Sequence, residues 1–346
     1  MKNYAIVFGG ISYEHEISII SAITLKDVIK KDKIFIFCDK KRDFYLISKE
    51  NMKAKYFSSG EYKKSEQIYL KYSGFYKKAL LKDKKIEFDL AINLIHGKDG
   101  EDGLLSSLFE FFDINYIGPR VEASVVSFNK EFTKLYASSK NVPTLSYQVI
   151  NKFDKQKPKP KYPVVIKPLR LGSSIGLSVA NNKDEFEYAL DVAFEYDNDV
   201  LVEQFYDNIK EYNLAGIKGK DGFLYSIIEE PKKESILDFD KKYLDFSRST
   251  GANKAELPSK IISQIYSAFE SIYEPLFEGA IIRCDFFMLN EKVYLNEINP
   301  VPGSLANYLF DDFNLILDKI SSNLPKKRKI NIDYRYINSI NAVKCK

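Results

Sequence analysis

Two apolar runs near the start of the chain each pass into a glycine-containing loop and then into a helical pattern. YAIVFGG (4–10) is followed by a helix predicted over about residues 15–30, and FDLAINLI (88–95) by the loop HGKDGEDG (96–103) and another helical run. Strands that alternate with helices favour a parallel α/β sheet, whose ligands bind at the carboxyl ends of the strands. The chain is therefore predicted to be an α/β protein that begins with a parallel sheet.

The rest of the chain alternates predicted helices with shorter strands. A helix is predicted over about residues 121–140, while the polar, irregular segment 231–257 is long enough to be a functional lid or binding loop. GAIIRCDFFML and KVYLNEINP, joined by Asn290 and Glu291, are predicted to be an antiparallel strand pair followed by a final helix over 304–322. The run 40–87 carries no clear pattern.

Composition excludes several classes of protein. The net charge of +4, from 52 basic and 48 acidic residues, gives little support to nucleic-acid binding. No run approaches the ~18 apolar residues of a membrane span, and the start lacks a signal peptide, so no membrane association or export is predicted. Three scattered cysteines suit a reducing cytoplasm. The basic run PKKRK (325–329) is predicted to be a solvated tail rather than a nuclear signal.

Histidine is scarce, which restricts the chemistry. Only His15 and His96 occur, so a histidine cluster or a polyhistidine metal site is nearly excluded. Catalysis must then depend on carboxylates, lysines and backbone groups.

The last strand pair carries the strongest local pattern. Residues two apart in a strand share a face, so Arg283 lies on the same side as Asp285, and Glu297 on the same side as Asn299. Carboxylate and amide oxygens beside an arginine suit Mg²⁺ bound to nucleotide phosphates. The alternative is a solvent-facing salt-bridge cluster, but the apolar flanking residues predict a half-buried face.

Two lysines and a glycine loop are candidates for holding phosphate. Lys167 ends the apolar run PVVIK, where a charge needs a partner or the mouth of a site, and Lys130 lies on a predicted helix. A lysine like Lys130, taken alone, is more often a surface residue. The loop LGSSIG (171–176) offers backbone N–H groups and hydroxyls, although such a loop is often only a hairpin.

Taken together, these motifs resemble a known family. KPLRLGSSIG, LVEQF, RCDFF and NEINPVPG, in this order, resemble the ATP-grasp fold; HGKDGEDG and FGGISYEHEIS resemble loops of the D-alanine–D-alanine ligases. The resemblance covers roughly residues 3 to 310. It implies a Rossmann-like N-terminal domain (1–122) followed by a two-part ATP-grasp fold, with a central subdomain (123–203) and a C-terminal subdomain (204–346).

The resemblance also implies roles for individual residues. Glu14 would orient the ammonium of the first D-alanine, and Ser173 would link Glu14 to Tyr243. The residues implied in ATP binding are Lys130, Lys167, Glu203, Gln204, Tyr206, Glu211 and Lys242. Those implied as ligands of two Mg²⁺ (or Mn²⁺) ions are Asp285, Glu297 and Asn299. Those implied near the substrates and the tetrahedral intermediate are His96, Arg283, Gly303, Ser304 and Tyr308. From the sequence alone, Glu14 could equally be a helix-start acid and His96 a plain loop histidine.

The implied activity is ATP-dependent joining of two D-alanines through an acyl phosphate, for peptidoglycan precursors, by a cytoplasmic homodimer. One alternative is another ATP-grasp carboxylate–amine ligase, and a second is a nucleotide-binding regulator without turnover. HGKDGEDG disfavours the first, and the competent side chain at each metal position disfavours the second.

The chain departs from the family pattern at one position. After the glycine of NEINPVPG, relatives commonly carry a serine whose hydroxyl binds the carboxylate of the second D-alanine. Tyr308 occupies that position here, and Ser304 and Asn307 are the nearby polar residues that could compensate. Weakened binding of the second D-alanine is therefore expected.

Overall fold

The structure is a computed structural model, and it describes residues 3–154, 158–207, 209–231, 252–327 and 329–344. The strands lie in three sheets, and helices cover them, so the predicted α/β class is confirmed. The helices are α1 (His15–Val28), α2 (Ala54–Ser58), α3 (Leu104–Phe111), α4 (Val121–Phe128), α5 (Lys130–Ser139), α6 (Lys183–Phe194), α7 (Ser259–Tyr273), α8 (Phe313–Ser321) and α9 (Arg335–Lys344).

The first sheet has eight strands in the spatial order β6-β5-β4-β3-β2-β1-β7-β8. They are β1 (Tyr4–Gly9), β2 (Lys33–Cys38), β3 (Phe44–Ile47), β4 (Glu66–Lys71), β5 (Gly74–Lys77), β6 (Lys84–Lys85), β7 (Leu90–Asn93) and β8 (Tyr116–Ile117). β1 pairs in parallel with β2 and β7, which confirms the predicted parallel unit. Every residue of β1 is buried, as expected for a parallel strand covered on both faces. The segment without a clear pattern supplies the antiparallel strands β3 to β6.

The second and third sheets are antiparallel and have four strands each. The second contains β9 (Tyr147–Asn151), β10 (Val164–Pro168), β11 (Ser178–Ala180) and β12 (Asp199–Gln204), in the order β11-β10-β12-β9. The third contains β13 (Lys210–Gly219), β14 (Gly222–Glu229), β15 (Ile282–Leu289) and β16 (Lys292–Asn299), in the order β14-β13-β15-β16. Helix α6 packs on the second sheet and α7 on the third.

The turn between β15 and β16 confirms the predicted hairpin. Asn290 and Glu291 both have positive φ, at 50° and 59°. Two residues with positive φ form the turn whose twist matches a two-residue hairpin. The turn joins the two strands that carry the predicted metal ligands, and a bulge between Asp285 and Phe286 shifts their register so that Asp285 lies opposite Glu297.

Residues after β16 return to the N-terminal sheet. Val301, Leu305 and Leu317 pack in one buried cluster with Tyr4 and Leu25. The end of NEINPVPG therefore lies beside the N-terminal sheet and its loops. The predicted domain boundaries at residues 122 and 203 stay a prediction.

Two helix predictions need correction. The helix predicted over 121–140 is two helices, α4 and α5, because Asn129 takes an extended conformation and its side chain caps α5. The helix predicted over 304–322 is wrong in its first half. Residues Gly303–Leu309 form a tight 3₁₀ segment with left-handed backbone at Ser304, Leu305 and Ala306, and α8 begins only at Phe313.

The C-terminal basic run is exposed, as predicted. Lys326, Lys327 and Lys329 are all exposed, and Lys327 also pairs with Asp113 at 2.7 Å. Among the described residues, no helix has both the length and the apolar character needed to cross a bilayer.

Candidate active site

The strand pair β15–β16 brings four predicted residues together. Arg283 lies opposite Asn299, and Asp285 lies opposite Glu297. Arg283 donates two hydrogen bonds to the Asp285 carboxylate, at 2.7 and 2.8 Å, and Asn299 Nδ2 donates to Asp285 Oδ2 at 3.0 Å. Asp285 is only 3% exposed. A solvent-facing salt-bridge cluster is therefore excluded, and the patch lines an interior surface.

The charges of this patch are strongly perturbed. Burial raises the pKa of Asp285 to about 7, although the Arg283 guanidinium opposes the shift. Burial would also raise the pKa of Glu297, but the charges of Lys130, Lys167 and Arg283 outweigh it and lower the pKa. A divalent cation would relieve the strain of two adjacent buried carboxylates.

The donor set fits Mg²⁺ better than zinc. In the parts of the chain that the structure describes, no three His, Cys, Asp or Glu side chains form a metal cluster by themselves. Two carboxylates and one amide are hard oxygen donors, and Mg²⁺ ordinarily completes such a set with phosphate oxygens and water. Asp285, Glu297 and Asn299 thus suit a metal that arrives with a nucleotide.

The lysines approach the patch from the second sheet and from α5. Lys167 Nζ lies 2.8 Å from Glu203 Oε2 and 3.3 Å from Asn296 Oδ1. Lys130 Nζ donates to the carbonyl of Leu171, at the start of the glycine-serine loop. Both lysines act electrostatically on Glu297, so Lys130 is a site residue rather than a surface lysine.

Sequence reasoning missed Lys134. Its Nζ lies 2.5 Å from Glu203 Oε1, and its side chain is only 2% exposed. Lys134 follows Lys130 by four residues, a spacing that places both on one face of a helix. That spacing was the available indication in the sequence.

Three loops meet at Glu14. Ser173 Oγ donates to Glu14 Oε1, as the predicted link requires. A Cβ on Gly97 would lie 2.6 Å from Glu14 Oε2, and a Cβ on Gly172 would lie 3.0 Å from Glu14 Oε1. Gly97 also has φ +66°, which disfavours any side chain. The glycines of HGKDGEDG and LGSSIG therefore let both loops close on one carboxylate.

Glu14 is prepared to receive a cation. The residue is 6% exposed, and no described residue hydrogen-bonds to its Oε2. Burial, followed by the nearby charge of Glu101, raises its pKa to about 7. A buried carboxylate oxygen without a partner is costly, and an ammonium group would satisfy it. An ordinary helix-start acid would lie in solvent.

His96 is tied into the same region and is not a plain loop histidine. Its Nε2 lies 3.0 Å from Ser21 Oγ, and Ser21 Oγ in turn accepts from the backbone N–H of Ser304 at 3.0 Å. Burial lowers the pKa of His96 to about 4, so the ring is neutral near pH 7. Glu101 was also missed: burial raises its pKa to about 8. Its position between the glycines of HGKDGEDG was the indication in the sequence.

The segment that begins at Gly303 places Tyr308 beside the metal patch. The Tyr308 hydroxyl lies 3.5 Å from Arg283 Nη1. Ser304 is buried, and Asn307 Nδ2 donates to the Ser304 carbonyl at 2.9 Å. Ser304 Oγ has no hydrogen-bond partner among the described residues, and the half-buried Asn307 amide has a second N–H that this bond does not use.

Fewer contacts are seen for the other residues that are predicted to bind the nucleotide. Gln204 ends β12 and its side chain donates to the Pro163 carbonyl at 2.7 Å, while Tyr206 follows in the loop. Glu211 lies on β13, and its charge acts on Asp285 and Lys167. Lys242 and Tyr243 lie outside the described residues.

Comparisons with known proteins identify the family. A family model described as "D-ala D-ala ligase N-terminus" matches residues 3–119, and one described as "D-ala D-ala ligase C-terminus" matches residues 138–312. A D-alanine–D-alanine ligase from Nitratiruptor sp. is 59% identical over 341 residues, and one from Campylobacter lari is 54% identical over 343 residues, in both cases over 99% of each chain.

A solved structure agrees with the sequence relatives. The crystal structure of D-alanine–D-alanine ligase from Helicobacter pylori superposes with a TM-score of 0.85 and 46% identity, over 95% of this chain and 100% of that chain. The predicted two-part ATP-grasp architecture after the N-terminal sheet is confirmed. Because the family models match both halves of the chain and relatives over its full length are 54% and 59% identical, the chain belongs to the D-alanine–D-alanine ligase family.

Proposed function

We propose that this protein joins two D-alanine molecules in an ATP-dependent reaction that supplies peptidoglycan precursors. The observation that carries the proposal is the presence of two functional surfaces, on both of which the charge of Lys130 acts. The carboxylate Glu14, with one oxygen unpartnered among the described residues, suits a substrate ammonium. The patch of Arg283, Asp285, Glu297 and Asn299, with Lys130 and Lys167 acting on it, suits phosphates and a divalent cation.

The reaction requires ATP because an amine cannot displace oxide from a carboxylate directly. A carboxylate oxygen of the first D-alanine attacks the γ-phosphorus of ATP, the bond to the β-phosphate oxygen breaks, and ADP leaves. The amine of the second D-alanine then attacks the carbonyl carbon of the acyl phosphate and gives up a proton. The tetrahedral intermediate collapses as the carbon–oxygen bond to phosphate breaks. Positioning and charge stabilisation account for most of the catalysis of such phosphoryl transfers.

The chain's own residues would divide this work. Lys130, Lys167 and Lys242 would hold phosphate oxygens, while Glu203, Gln204 and Tyr206 would hold the adenine and Glu211 the ribose. Arg283 and the N–H of Gly303 would stabilise the developing oxyanion. His96 would lie beside the first substrate, and Ser304, whose hydroxyl has no hydrogen-bond partner among the described residues, would bind the second.

Asp285, Glu297 and Asn299 would hold two Mg²⁺ (or Mn²⁺) ions. Bound there, the ions would neutralise charge on the transferring phosphate. The donor chemistry supports this choice, because these three residues supply oxygen ligands and leave positions for phosphate and water.

The direct test is phosphate release from ATP with D-alanine, compared with L-alanine and with no amino acid, together with identification of the product. D-alanine-dependent release with formation of D-alanyl-D-alanine is expected. Release without D-alanine, or a different acceptor amine in the product, would point to another carboxylate–amine ligase. Nucleotide binding without any turnover would point to a regulator.

The pH dependence of the first subsite should report Glu14. An ammonium requires the ionised carboxylate, so below pH ~7 a proton must leave Glu14 before substrate binds. The KM of the first D-alanine is expected to rise as the pH falls, by up to about tenfold per pH unit. Among the groups that act on Glu14, burial lowers the pKa of His96 to about 4 and raises the pKa of Glu101 to about 8. Burial also raises the pKa of Asp285 to about 7, so the profile across the window from pH ~5.5 to ~6.5 is assigned to Glu14 by comparing wild type with Glu14→Gln. A flat profile in wild type across this window would contradict the assignment, and Glu14→Gln should lose the dependence.

Tyr243 is expected to select an amine as the second nucleophile. In this family a tyrosine at this position accompanies dipeptide formation, and a phenylalanine accompanies ester formation with D-lactate. We expect Tyr243→Phe to gain measurable D-alanyl-D-lactate synthesis, because the lost phenol loosens the link through Ser173 to Glu14. Product ratios measured with equal D-alanine and D-lactate test this. A wild-type preference for D-lactate would show that Tyr243 does not have this role.

The partners we propose are small molecules: D-alanine and ATP, acted on in the cytoplasm by a homodimer, without nucleic acid or membrane. Helix α3 supports the dimer, because Leu104, Leu108 and Phe111 on it are 48%, 39% and 81% exposed. An exposed apolar face of this kind is typical of a protein interface, and two-fold dimers are the commonest oligomers. Sedimentation velocity gives the mass directly.

A further inference from the structure

A buried group of three charges lies behind the predicted nucleotide site. Its members are Lys134 on α5, Lys167 on β10 and Glu203 on β12. Each Glu203 oxygen has its own lysine: Lys134 Nζ is 2.5 Å from Oε1, and Lys167 Nζ is 2.8 Å from Oε2. The group therefore carries two positive charges and one negative charge, with one excess positive charge.

The two lysines differ in their access to a ligand. The side chains of Lys134 and Glu203 are each 2% exposed, whereas the side chain of Lys167 is 13% exposed and also reaches Asn296 Oδ1 at 3.3 Å. Lys134 lies over the Tyr147 ring, with Nζ 5.4 Å from its centroid, and is closed off on that side. Of the two, Lys167 is the lysine at the mouth of the site, and Lys134 lies behind it.

We propose that Lys134 is a positioning residue for the nucleotide: it holds Glu203 from behind, so that Glu203 in turn fixes the Lys167 ammonium at the mouth of the site. The inference rests on the proposed function, because the ligand of Lys167 is taken to be ATP. Without Lys134, Glu203 Oε1 loses its ion-pair partner, and the carboxylate is free to turn fully onto Lys167. A lysine so neutralised attracts phosphate more weakly and is held in a different place.

The electrostatics of the group agree with this geometry. Burial alone would raise the pKa of Glu203, but the charges of Lys167 and Lys134 outweigh it, and the pKa is lowered. Glu203 is therefore ionised at neutral pH and can anchor Lys167. Burial acts against the charge of Lys134 and lowers its pKa, despite the attraction of Glu203. A buried lysine is costly even when it is paired, so its position here calls for a role beyond stability.

A purely structural role for Lys134 makes a different prediction. Buried ion pairs often contribute little net stability, and their removal changes unfolding rather than one substrate's binding. The positioning role requires a selective effect on ATP, with the D-alanine subsites unaffected. The two roles are therefore separated by comparing Michaelis constants for the different substrates.

The experiment compares wild type with Lys134→Met, which keeps the length of the side chain and removes its charge. We expect the KM for ATP to rise about ten- to a hundredfold, the range that corresponds to losing one hydrogen bond to a charged group. The KM for each D-alanine should change by less than about twofold, because Lys134 lies outside the D-alanine subsites and distant sites contribute nearly independently. Lys183→Met, at an exposed position on α6, is the matched control and should leave all three constants unchanged. An unchanged KM for ATP in folded Lys134→Met would overturn the proposal.

Two further measurements complete the test. Because the chain contains no tryptophan, ATP binding is best followed by calorimetry. If wild type neither binds ATP nor turns over, the proposed function has failed; if wild type binds ATP and Lys134→Met binds it equally well, only the positioning role has failed.

A double-mutant cycle with Glu203→Gln tests whether Lys134 acts on ATP binding through Glu203. Once Glu203 is an amide, adding Lys134→Met should change ATP affinity by less than about twofold, because coupled residues are not additive. This comparison also serves if the single variant fails to fold, and a further tenfold loss in the double variant would overturn the proposal.

Discussion

Replacement of Glu297 by glutamine is expected to lower kcat by roughly 10²–10³-fold or more, while the folded protein survives. Glutamine has nearly the same shape, so packing of β16 should be preserved. The charge, however, is lost where Lys130, Lys167 and Arg283 all act on the wild-type carboxylate. Asp285 would then be the one carboxylate left among the three predicted metal ligands. We therefore expect the affinity for Mg²⁺ or Mn²⁺ to fall together with turnover.

Three measurements check this prediction: kcat at saturating substrates, Mn²⁺ binding by calorimetry in the presence of ADP, and the midpoint of thermal unfolding. Glu187→Gln is the matched control, because Glu187 is exposed on α6 and pairs only with Lys183 among the described residues. Near-normal turnover in folded Glu297→Gln protein would remove Glu297 from the metal site.

Replacement of Tyr308 by serine is expected to lower the KM of the second D-alanine about ten- to a hundredfold, with little change for the first. A hydrogen bond to a charged group is worth roughly 1.5–3 kcal/mol, and about 1.4 kcal/mol is tenfold in affinity. The Tyr308 hydroxyl lies 3.5 Å from Arg283 Nη1, and its ring is too large to place that oxygen where a serine would. In wild type the second D-alanine should therefore bind more weakly than the first by about the same factor.

Tyr308→Phe distinguishes the two possible causes of weak binding, which are the size of the ring and the placement of its hydroxyl. It removes the hydroxyl and keeps the ring, so it should leave the weak second subsite weak or weaken it further. The two Michaelis constants have to be measured separately, from the curvature of rate against D-alanine concentration. Equal constants in wild type, or an improvement in the phenylalanine variant, would contradict the role given to Tyr308.

The sequence predicted the hairpin and its patch well because both depend on local patterns. Alternation along β15 and β16 gave the shared faces, and two turn residues gave the hairpin, whereas the bulge between Asp285 and Phe286 that brings Asp285 opposite Glu297 was not predicted. The segment 303–309 was mispredicted for a physical reason. Its spacing of apolar residues resembles a helix, but Ser304, Leu305 and Ala306 have left-handed backbone held by burial against the N-terminal sheet. Tertiary packing overrode the local pattern there.

The residues missed by sequence reasoning owe their roles to distant contacts. Lys134 matters because Glu203, far along the chain, comes within 2.5 Å of it. Glu101 matters because its loop folds into a buried region where the charge of Glu297 reaches it. No periodicity within either segment contains the partner, so a single sequence could mark these residues only as candidates. The resemblance to a family placed Glu14, and the structure explains its surroundings.

The glycine contacts around Glu14 limit how this site can vary among relatives. A Cβ on Gly97 would displace the carboxylate that the first substrate needs, and a Cβ on Gly172 would press against it at 3.0 Å. A mutation at either position would change the first subsite only by damaging it, so neither is a route to new substrates or to escape from an inhibitor. Substitutions that alter specificity are therefore expected at positions where a side chain already projects into the site. Tyr308 is one such position, and it is the one at which this chain departs from the family pattern.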